Sequence, residues 1–480
     1  MTASVPHLPA LRWGEEYRSL TAIDLRDHRT GDIVGRLSQV NAGLIRRDLK
    51  RADDAASVLR AMSTHAILAC CRAAADLFLE AELEIADGVT QTGAEYRAQL
   101  AATGALPLTL ARANQEKLAG VLRELGTIVR GLTRGLAPEE LDAAVREHRG
   151  IPLWFAPQCR ALAALLPSNS PGVNALWLPA LALKVPVALK PGSLDPWTPL
   201  RLARALTVAG LPREALAFYP TDHEGGAALL DGCERALLFG DARTTAPWAG
   251  RPSIEIHGPG RSKVWIGADQ IDGWERHLDV LVDSIAANGG RSCVNASCIV
   301  VPGHADQIAN ALAERLASLG PLPLDDPQAR LAAFADATLA ERIDDAITAA
   351  LAVDGAIETS ARFRAGERRV TLAGSTFLQP TIVRCAKLDH PLANTEYLFP
   401  FASVVELPDE AALDWMGDSL VVSAITRAPR NVAALLRSTR IGRLNLGPTP
   451  TPSVRWDQPH EGNLFDFLFA RRAVQRAPGW

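Results

Sequence analysis

One of the chain's seven cysteines sits in a setting suited to chemistry. Cys293 closes the run Asn288-Gly289-Gly290-Arg291-Ser292-Cys293, which continues as Val294-Asn295-Ala296-Ser297. Paired glycines let a backbone turn tightly and bring a side chain close to a ligand. A nucleophilic thiolate needs such a place, partly exposed at a turn or helix start where local dipoles lower its pKa. A cysteine after a loop is otherwise a buried structural thiol, and residues elsewhere in the chain must decide between the two roles. Cys70 and Cys71 are adjacent within a helical pattern, so they point in different directions and read as core. The odd cysteine count, without regular spacing, excludes a disulfide scaffold. No Cys-x-x-Cys has a second copy, and His223-Glu224 and His460-Glu461 lack the further helical histidine of a zinc motif, so no metal site is expected.

The elements that must position Cys293 follow from composition and periodicity. At 480 residues the chain is too long for one ordinary core, and two or three domains are expected. Its 48% hydrophobic and 22% charged residues are those of a soluble globular protein, and a net charge of −4 gives no cause to expect nucleic acid or an anionic membrane as partner. The start of the chain lacks a signal pattern, and the apolar stretch Val173 to Leu189 is too short for a membrane span, so a cytoplasmic location is expected. After a short strand near Asp32–Leu37, the acidic pair Asp53-Asp54 opens one long helical pattern reaching about Asp87. Helices follow over Glu95–Ala102 and Leu108–Leu132. From Ile151 short apolar strands alternate with helices: the strand Ala161–Leu166, a helix to Ala182, then the strands Val185–Leu189, Ala215–Tyr219 and Arg235–Leu238. This rhythm predicts a parallel sheet covered by helices, which binds ligands at the carboxyl ends of its strands. The loops Pro167–Pro171, Lys190–Pro196 and Gly240–Ala242 lie at those ends. No Gly-x-Gly-x-x-Gly follows a strand, so the ordinary dinucleotide fingerprint is absent. A second alternating region starts near Val264–Ile266 and includes a helix over Gln270–Asn288 and a strand over Ser297–Val301.

Six blocks in register resemble the aldehyde dehydrogenase superfamily from about residue 20 onward. Leu166-Pro167-Ser168-Asn169-Ser170-Pro171, with Val187-Ala188-Leu189-Lys190-Pro191-Gly192-Ser193, is similar to the family's Pro-Trp-Asn-Phe-Pro and Leu-Lys-Pro-Ser-Glu pair. Ala209-Gly210-Leu211-Pro212, Leu238-Phe239-Gly240-Asp241, Asn288–Cys293, Phe377–Thr381 and Glu396–Pro400 resemble its further blocks. The resemblance implies an α/β fold with an NAD(P)-binding domain over 1–257, including an N-terminal helical layer. A catalytic thiol domain over 258–450 would follow, with a segment over 451–480 returning to the cofactor domain or an oligomer interface. It also implies a homodimer or homotetramer, for which Gly150–Leu166 hints at the required hairpin.

The roles below are those the resemblance implies. Cys293 attacks an aldehyde carbon, and hydride transfer to NAD or NADP turns the thiohemiacetal into a thioester. The Asn169 amide and the Cys293 N–H stabilise the oxyanion. Pro167, Ser168, Lys190, Pro191, Ser193, Gly240, Asp241 and Glu396 surround the cofactor. Ser193 stands where the family often has a Glu that repels a 2′-phosphate, which permits NADP. Asp241 replaces a small Ser near the pyrophosphate, and it can instead cap the following helix. In Ile254-Glu255-Ile256-His257-Gly258-Pro259-Gly260, counting back from Ala268-Asp269 puts Glu255 at the base position. Alignment on Gly-Pro-Gly puts His257 there. Strand neighbours two apart share a face, so both can line one side of a pocket.

The leading expectation is an NAD(P)-dependent aldehyde dehydrogenase. The Gly-Pro-Gly run and the aromatic stretch Trp456–Phe469 keep open an acyl-CoA reductase making an aldehyde from a fatty or aromatic acyl-CoA. Reduction of an acyl phosphate, with Arg261 and Arg291 as the nearby cations, is a third reading. A non-catalytic relative with a binding or structural role is the rival from another class.

Overall fold

A computed structural model of the chain describes residues 5–142, 146–148, 151–475 and 477. Its first sheet has seven strands in the spatial order Ile254–His257, Arg235–Phe239, Leu162–Leu165, Val187–Lys190, Leu216–Phe218, Ala10–Arg12 and Glu15–Tyr17. The middle strands pair in parallel, and only the N-terminal hairpin runs antiparallel. Both faces are covered, which is why these strands read as continuous apolar runs. Leu162 and Ala164 face a core shared with the helices Thr64–Glu80 and Leu108–Leu132. Ala163 and Leu165 face another shared with Ala42–Leu49 and His223–Gly232. Each fully buried Leu or Val in these layers contributes roughly 1.5–3 kcal/mol.

From Leu162–Leu165 the chain first builds outward to Leu216–Phe218, then returns to the opposite flank with Arg235–Phe239. The order therefore reverses between two adjacent strands. Their carboxyl ends, which lead into 166–169 and 240–241, frame the crevice where such sheets hold ligands. A second seven-stranded sheet has the order Ala356–Glu358, Thr381–Cys385, Phe401–Glu406, Ala296–Val301, Ser262–Ile266, Ser419–Ile425 and Ile441–Leu446. All its pairings are parallel except the outermost, Ala356–Glu358. Past 451 the chain crosses back, and Phe469–Arg472 pairs antiparallel with Ile151–Pro157 of the first half. Ile151–Pro157 also pairs with Arg146–His148. The hairpin hinted at over Gly150–Leu166 therefore uses a strand before Gly150, and residues 149–150 lie outside the described residues.

Three helical expectations need correction. The pattern from Asp53 to Asp87 is two helices, Ala52–Ala61 and Thr64–Glu80, bent by 96°, followed by the strand Leu83–Ala86. Ser63 ends the run because its side chain accepts the Ala66 N–H and starts a new helix. Gly88, at φ +69°, then turns the chain into Val89–Gln91. The stretch before Ala182 is a 3₁₀ turn, Pro171–Leu176, and a short helix, Leu178–Ala182. The helix expected over Gln270–Asn288 is regular only over Leu278–Ala286, because Gly273 breaks its start. Its end breaks where Asn288, Gly289 and Gly290 all take positive φ, at 54°, 64° and 71°. Among the described residues no single helix is long and apolar enough to cross a membrane.

That left-handed turn delivers Cys293 to the space between the two sheets. A Cβ on Gly290 would lie 2.3 Å from the Phe399 carbonyl carbon and the Pro400 nitrogen. Gly290→Ala is therefore expected to lower unfolding free energy by at least about 2 kcal/mol, from left-handed strain plus the clash. Denaturant unfolding of the two proteins side by side measures it.

Candidate active site

Polar side chains from both halves of the chain hold the cysteine loop. Asn288 accepts from Asn114 Nδ2 at 2.7 Å and donates to Ser170 Oγ and Ser292 Oγ, both at 3.0 Å. The Arg291 guanidinium is buried and donates to the carbonyls of Gly104, at 2.8 Å, and Ala333. Burial pushes its pKa down to about 10. The Cys293 carbonyl accepts from Ser262 Oγ at 2.9 Å. A Cβ on Gly260 would stand 2.1 Å from that carbonyl oxygen, so the third residue of Gly258-Pro259-Gly260 admits no side chain.

A cavity of about 390 Å³ opens over the thiol. Pro167, Ser168, Asn169, Gly240, Asp241, His257, Cys293 and Glu396 all line it. Asn169 Nδ2 donates to the Arg291 carbonyl at 2.8 Å, which ties the 167–169 loop to the cysteine loop. Lys190, Pro191 and Ser193 do not line the cavity. They back it: a Cβ on Gly192 would be 2.5 Å from the Pro167 carbonyl oxygen, and Ser168 Oγ accepts the Leu194 N–H at 3.1 Å. Lys190 Nζ has one long contact, 3.5 Å to the Pro191 carbonyl, and burial lowers its pKa. Asp241 caps the short helix Ala242–Thr245, its Oδ1 accepting the Thr244 N–H at 2.8 Å, and the Thr244 hydrogen bonds lower its pKa. Glu396 Oε2 accepts the Arg261 N–H at 2.7 Å, and burial pushes its carboxyl up to about 7.

Behind the thiol lies a smaller cavity of about 60 Å³, mostly apolar, walled in part by Val121, Ile128, Leu132, Leu176 and Trp456. Glu255, His257, Glu461 and Lys117 face into it. Glu255 thus lies behind His257 and does not line the thiol's own cavity. Ile256, between them, packs on the opposite face against the second core, as strand alternation requires. His257 stacks on Phe239, ring centroids 4.5 Å apart. Its Nδ1 is 3.0 Å from Glu461 Oε2, and its Nε2 is 3.6 Å from Glu255 Oε1. Glu461 Oε1 is in turn 3.5 Å from Cys293 Sγ.

The electrostatics reverse one expectation. The loop was expected to lower the thiol pKa, yet burial, then the charges of Glu461 and Glu396, push Cys293 well up. Burial works against ionised Glu461 too, but its hydrogen bond from His257 and the fields of His460 and His257 hold it down at about 2. The resting pair is therefore a protonated thiol donating to a carboxylate. Burial holds His460 down to about 3, and Arg443 lies 2.6 Å from its Nδ1. Burial also raises Glu255 and lowers Lys117.

Glu461, with Lys117, His460 and Arg443, escaped the sequence reading. His460-Glu461 was weighed as half of a metal motif and as part of the aromatic run, not as a partner of the thiol. The available signal was its place in the aromatic run Trp456–Phe469, where a carboxylate must be buried and so must have partners.

The family model described as "Aldehyde dehydrogenase family" matches residues 15–463. A mitochondrial succinate-semialdehyde dehydrogenase of Arabidopsis thaliana is 29% identical over 250 residues, 48% of this chain but only 44% of that relative's length. A vanillin dehydrogenase of a Pseudomonas species is 25% identical over 370 residues, 72% of this chain and 71% of the relative. An indole-3-acetaldehyde dehydrogenase solved with NAD⁺ superposes with a TM-score of 0.79 at 19% identity, covering 97% of this chain and 96% of the other.

Because the Glu396 carboxyl is raised in the fold from 4.5 to about 7, its contribution to stability is full below about 4.5 and is lost as pH rises through 7. Melting temperatures of the native protein relative to Glu396→Gln are expected to fall steadily across that window. A flat difference would refute the buried, neutral-leaning carboxyl.

Proposed function

The chain belongs to the aldehyde dehydrogenase family, and from that premise we propose that it oxidises an aldehyde to a carboxylic acid with NAD(P)⁺, through a covalent intermediate on Cys293. One observation carries the reading: the Cys293 thiol, 3.5 Å from a buried carboxylate, sits at the boundary of a ligand-sized cavity at the strand-order reversal. Attack by sulfur on the aldehyde carbon builds negative charge on oxygen. The Asn169 amide spends one hydrogen on the Arg291 carbonyl and keeps the second for that oxyanion. The Cys293 N–H, with no acceptor among the described residues, is the other donor. Losing one such donor typically costs about 100- to 1,000-fold in rate.

The residues present suit a dinucleotide. Pro167, Ser168 and Gly240 offer backbone at the carboxyl ends of the strands. Lys190 keeps an uncommitted ammonium for ribose or phosphate, and Glu396 has a second oxygen available to ribose hydroxyls. The Asp241 carboxylate is engaged in its helix cap, so it serves that turn and not a phosphate. Exposed Ser193 places no carboxylate against a 2′-phosphate, which leaves both NAD and NADP open. Bound there, the nicotinamide accepts the hydride. Release of the acyl group to water is favoured by the three acid–base side chains clustered behind the sulfur, Glu461, His257 and Glu255.

Nicotinamide absorbance tests this with NAD(P)⁺ and an aldehyde panel in the absence of CoA. CoA-independent reduction is expected, falling by at least about 1,000-fold in Cys293→Ala. Oxidation of NAD(P)H seen only with acyl-CoA would replace hydrolysis with acyl transfer, and silence in both directions would end the dehydrogenase reading.

A further inference from the structure

Among the described residues, His257 alone lines both cavities. Its ring is held from two directions. Phe239, its partner across the parallel strand pair, stacks on it with centroids 4.5 Å apart and planes 13° from parallel. Glu461 Oε2 lies 3.0 Å from Nδ1. Glu461 is ionised, and a carboxylate can only accept, so in the neutral ring Nδ1 carries the hydrogen. Nε2 then keeps its lone pair. That nitrogen is buried, has no hydrogen-bond partner among the described residues, and stands 3.6 Å from Glu255 Oε1. A carboxylate that fixes an imidazole tautomer and leaves the other nitrogen bare is the arrangement of a general base.

We propose that His257 is the general base that activates water to release the acyl group from Cys293, and that Glu461 positions it for that task. This rests on the Cys293 thioester of the dehydrogenase reading. In the step, a water O–H bond breaks, its proton goes to His257 Nε2, and the water oxygen bonds to the acyl carbon. The carbonyl π pair moves onto the oxygen that the Asn169 amide and the Cys293 N–H stabilise. Collapse re-forms the C=O bond and breaks the C–Sγ bond, and sulfur takes up the proton that His257 has held. The second hydrogen of the water leaves with the carboxylic acid. Nothing is oxidised or reduced. Between the two halves of the step the imidazolium rests against the Glu461 carboxylate, the pairing that a buried charge requires.

Neither neighbouring carboxyl is placed for this role. Glu461 has both oxygens engaged, one by His257 and the other by the Cys293 thiol at 3.5 Å. Glu255 lines only the smaller cavity, and its Oε1 lies under the crossing segment, 2.3 Å from where a Cβ on Gly462 would stand. Burial also raises the Glu255 pKa, which favours the acid over its basic form. The strand position that counting back from Ala268-Asp269 gives to the base thus holds a carboxyl that opens on the smaller cavity alone. The residue two further on borders the cavity of the thiol. The smaller cavity, at about 60 Å³, has room for the water, and Glu255 and Lys117 in its wall offer that water further polar partners. His257, at the boundary, meets it there and faces the acyl group on the other side.

The activated ester p-nitrophenyl acetate tests this without aldehyde or nicotinamide. Attack by Cys293 releases nitrophenolate in a burst and leaves an acetyl group on sulfur, whose loss is followed by the mass of the intact protein. The native protein is expected to show the burst and then deacetylation. His257→Gln is expected to keep the burst and to slow deacetylation by about 100- to 1,000-fold. Imidazole added to the medium is expected to restore part of that rate in His257→Ala without accelerating the native protein. Glu461→Gln is expected to slow deacetylation by about 10- to 100-fold, and Glu461→Asp to recover part of it. Loss of the burst along with deacetylation in His257→Gln would make the residue structural and overturn the proposal.

If Glu255→Gln slows deacetylation more than His257→Gln does, the base is Glu255 and the proposal falls. Equal acceleration of the native and His257→Ala proteins by imidazole also overturns it, because the added base then acts from solution. Burst and deacetylation are separate phases, so the two readings fail separately. A native protein that never forms acetyl-Cys293 ends the thiol reading and this one with it. An acetyl-Cys293 that His257→Gln hydrolyses at the native rate ends this one alone.

Discussion

A backbone constraint at one turn underlies the site. Three successive residues, Asn288, Gly289 and Gly290, adopt left-handed conformations. Glycine does so freely, whereas a residue with a Cβ costs roughly 1–2 kcal/mol. Asn288 offsets that cost with hydrogen bonds to Asn114, Ser170 and Ser292. Two of those partners belong to the half of the chain that builds the first sheet. Gly290 rests against Phe399 and Pro400 of the second. The turn therefore clamps the halves together at the place where it presents sulfur, and Arg291 pins it from behind.

The second theme is charge kept out of water at a cost. Isolated buried ions are strongly unfavourable, and even good pairs seldom repay their desolvation. Lys117, Arg443, Glu461, His257 and Glu255 nonetheless share one region, with a thiol whose proton is held firmly. Such clusters mark reactive sites more often than stabilising ones. Here burial first raises Cys293, the hydrogen bond from His257 first lowers Glu461, and the contact between the two reinforces both shifts. Reactivity is accordingly conditional, because the sulfur must first give up a proton that its surroundings hold. That differs from a cysteine activated in advance by a helix terminus.

Much of this was legible in the chain, and the exceptions have physical causes. The parallel sheet followed from apolar runs such as Val187–Leu189, since strands buried on both faces leave an unmistakable pattern. The Gly-Gly turn before Cys293 and the loop of Asn169 were visible because both depend on local backbone chemistry. The break at Ser63 was hidden, because helical periodicity continues straight across a cap that only geometry exposes. Lys190, Pro191 and Ser193 lie behind the 167–169 loop and outside the cavity lining, a depth that spacing alone does not reveal. Glu461 could not be paired with Cys293 by any spacing rule, because 168 residues separate them and their contact depends on where a crossing segment lands.

That crossing segment bears on synthesis. Its last strand, Phe469–Arg472, joins Ile151–Pro157, and the intervening helix Leu464–Leu468 packs into the first core. Segments made early fold first. A nascent chain that has already folded through Cys293 therefore lacks the carboxylate that stands 3.5 Å from its sulfur. Until the final stretch docks, the thiol is also free of the Glu461 charge that raises its pKa. The electrostatic surroundings of the sulfur are thus completed last, by the stretch that ties the two halves together.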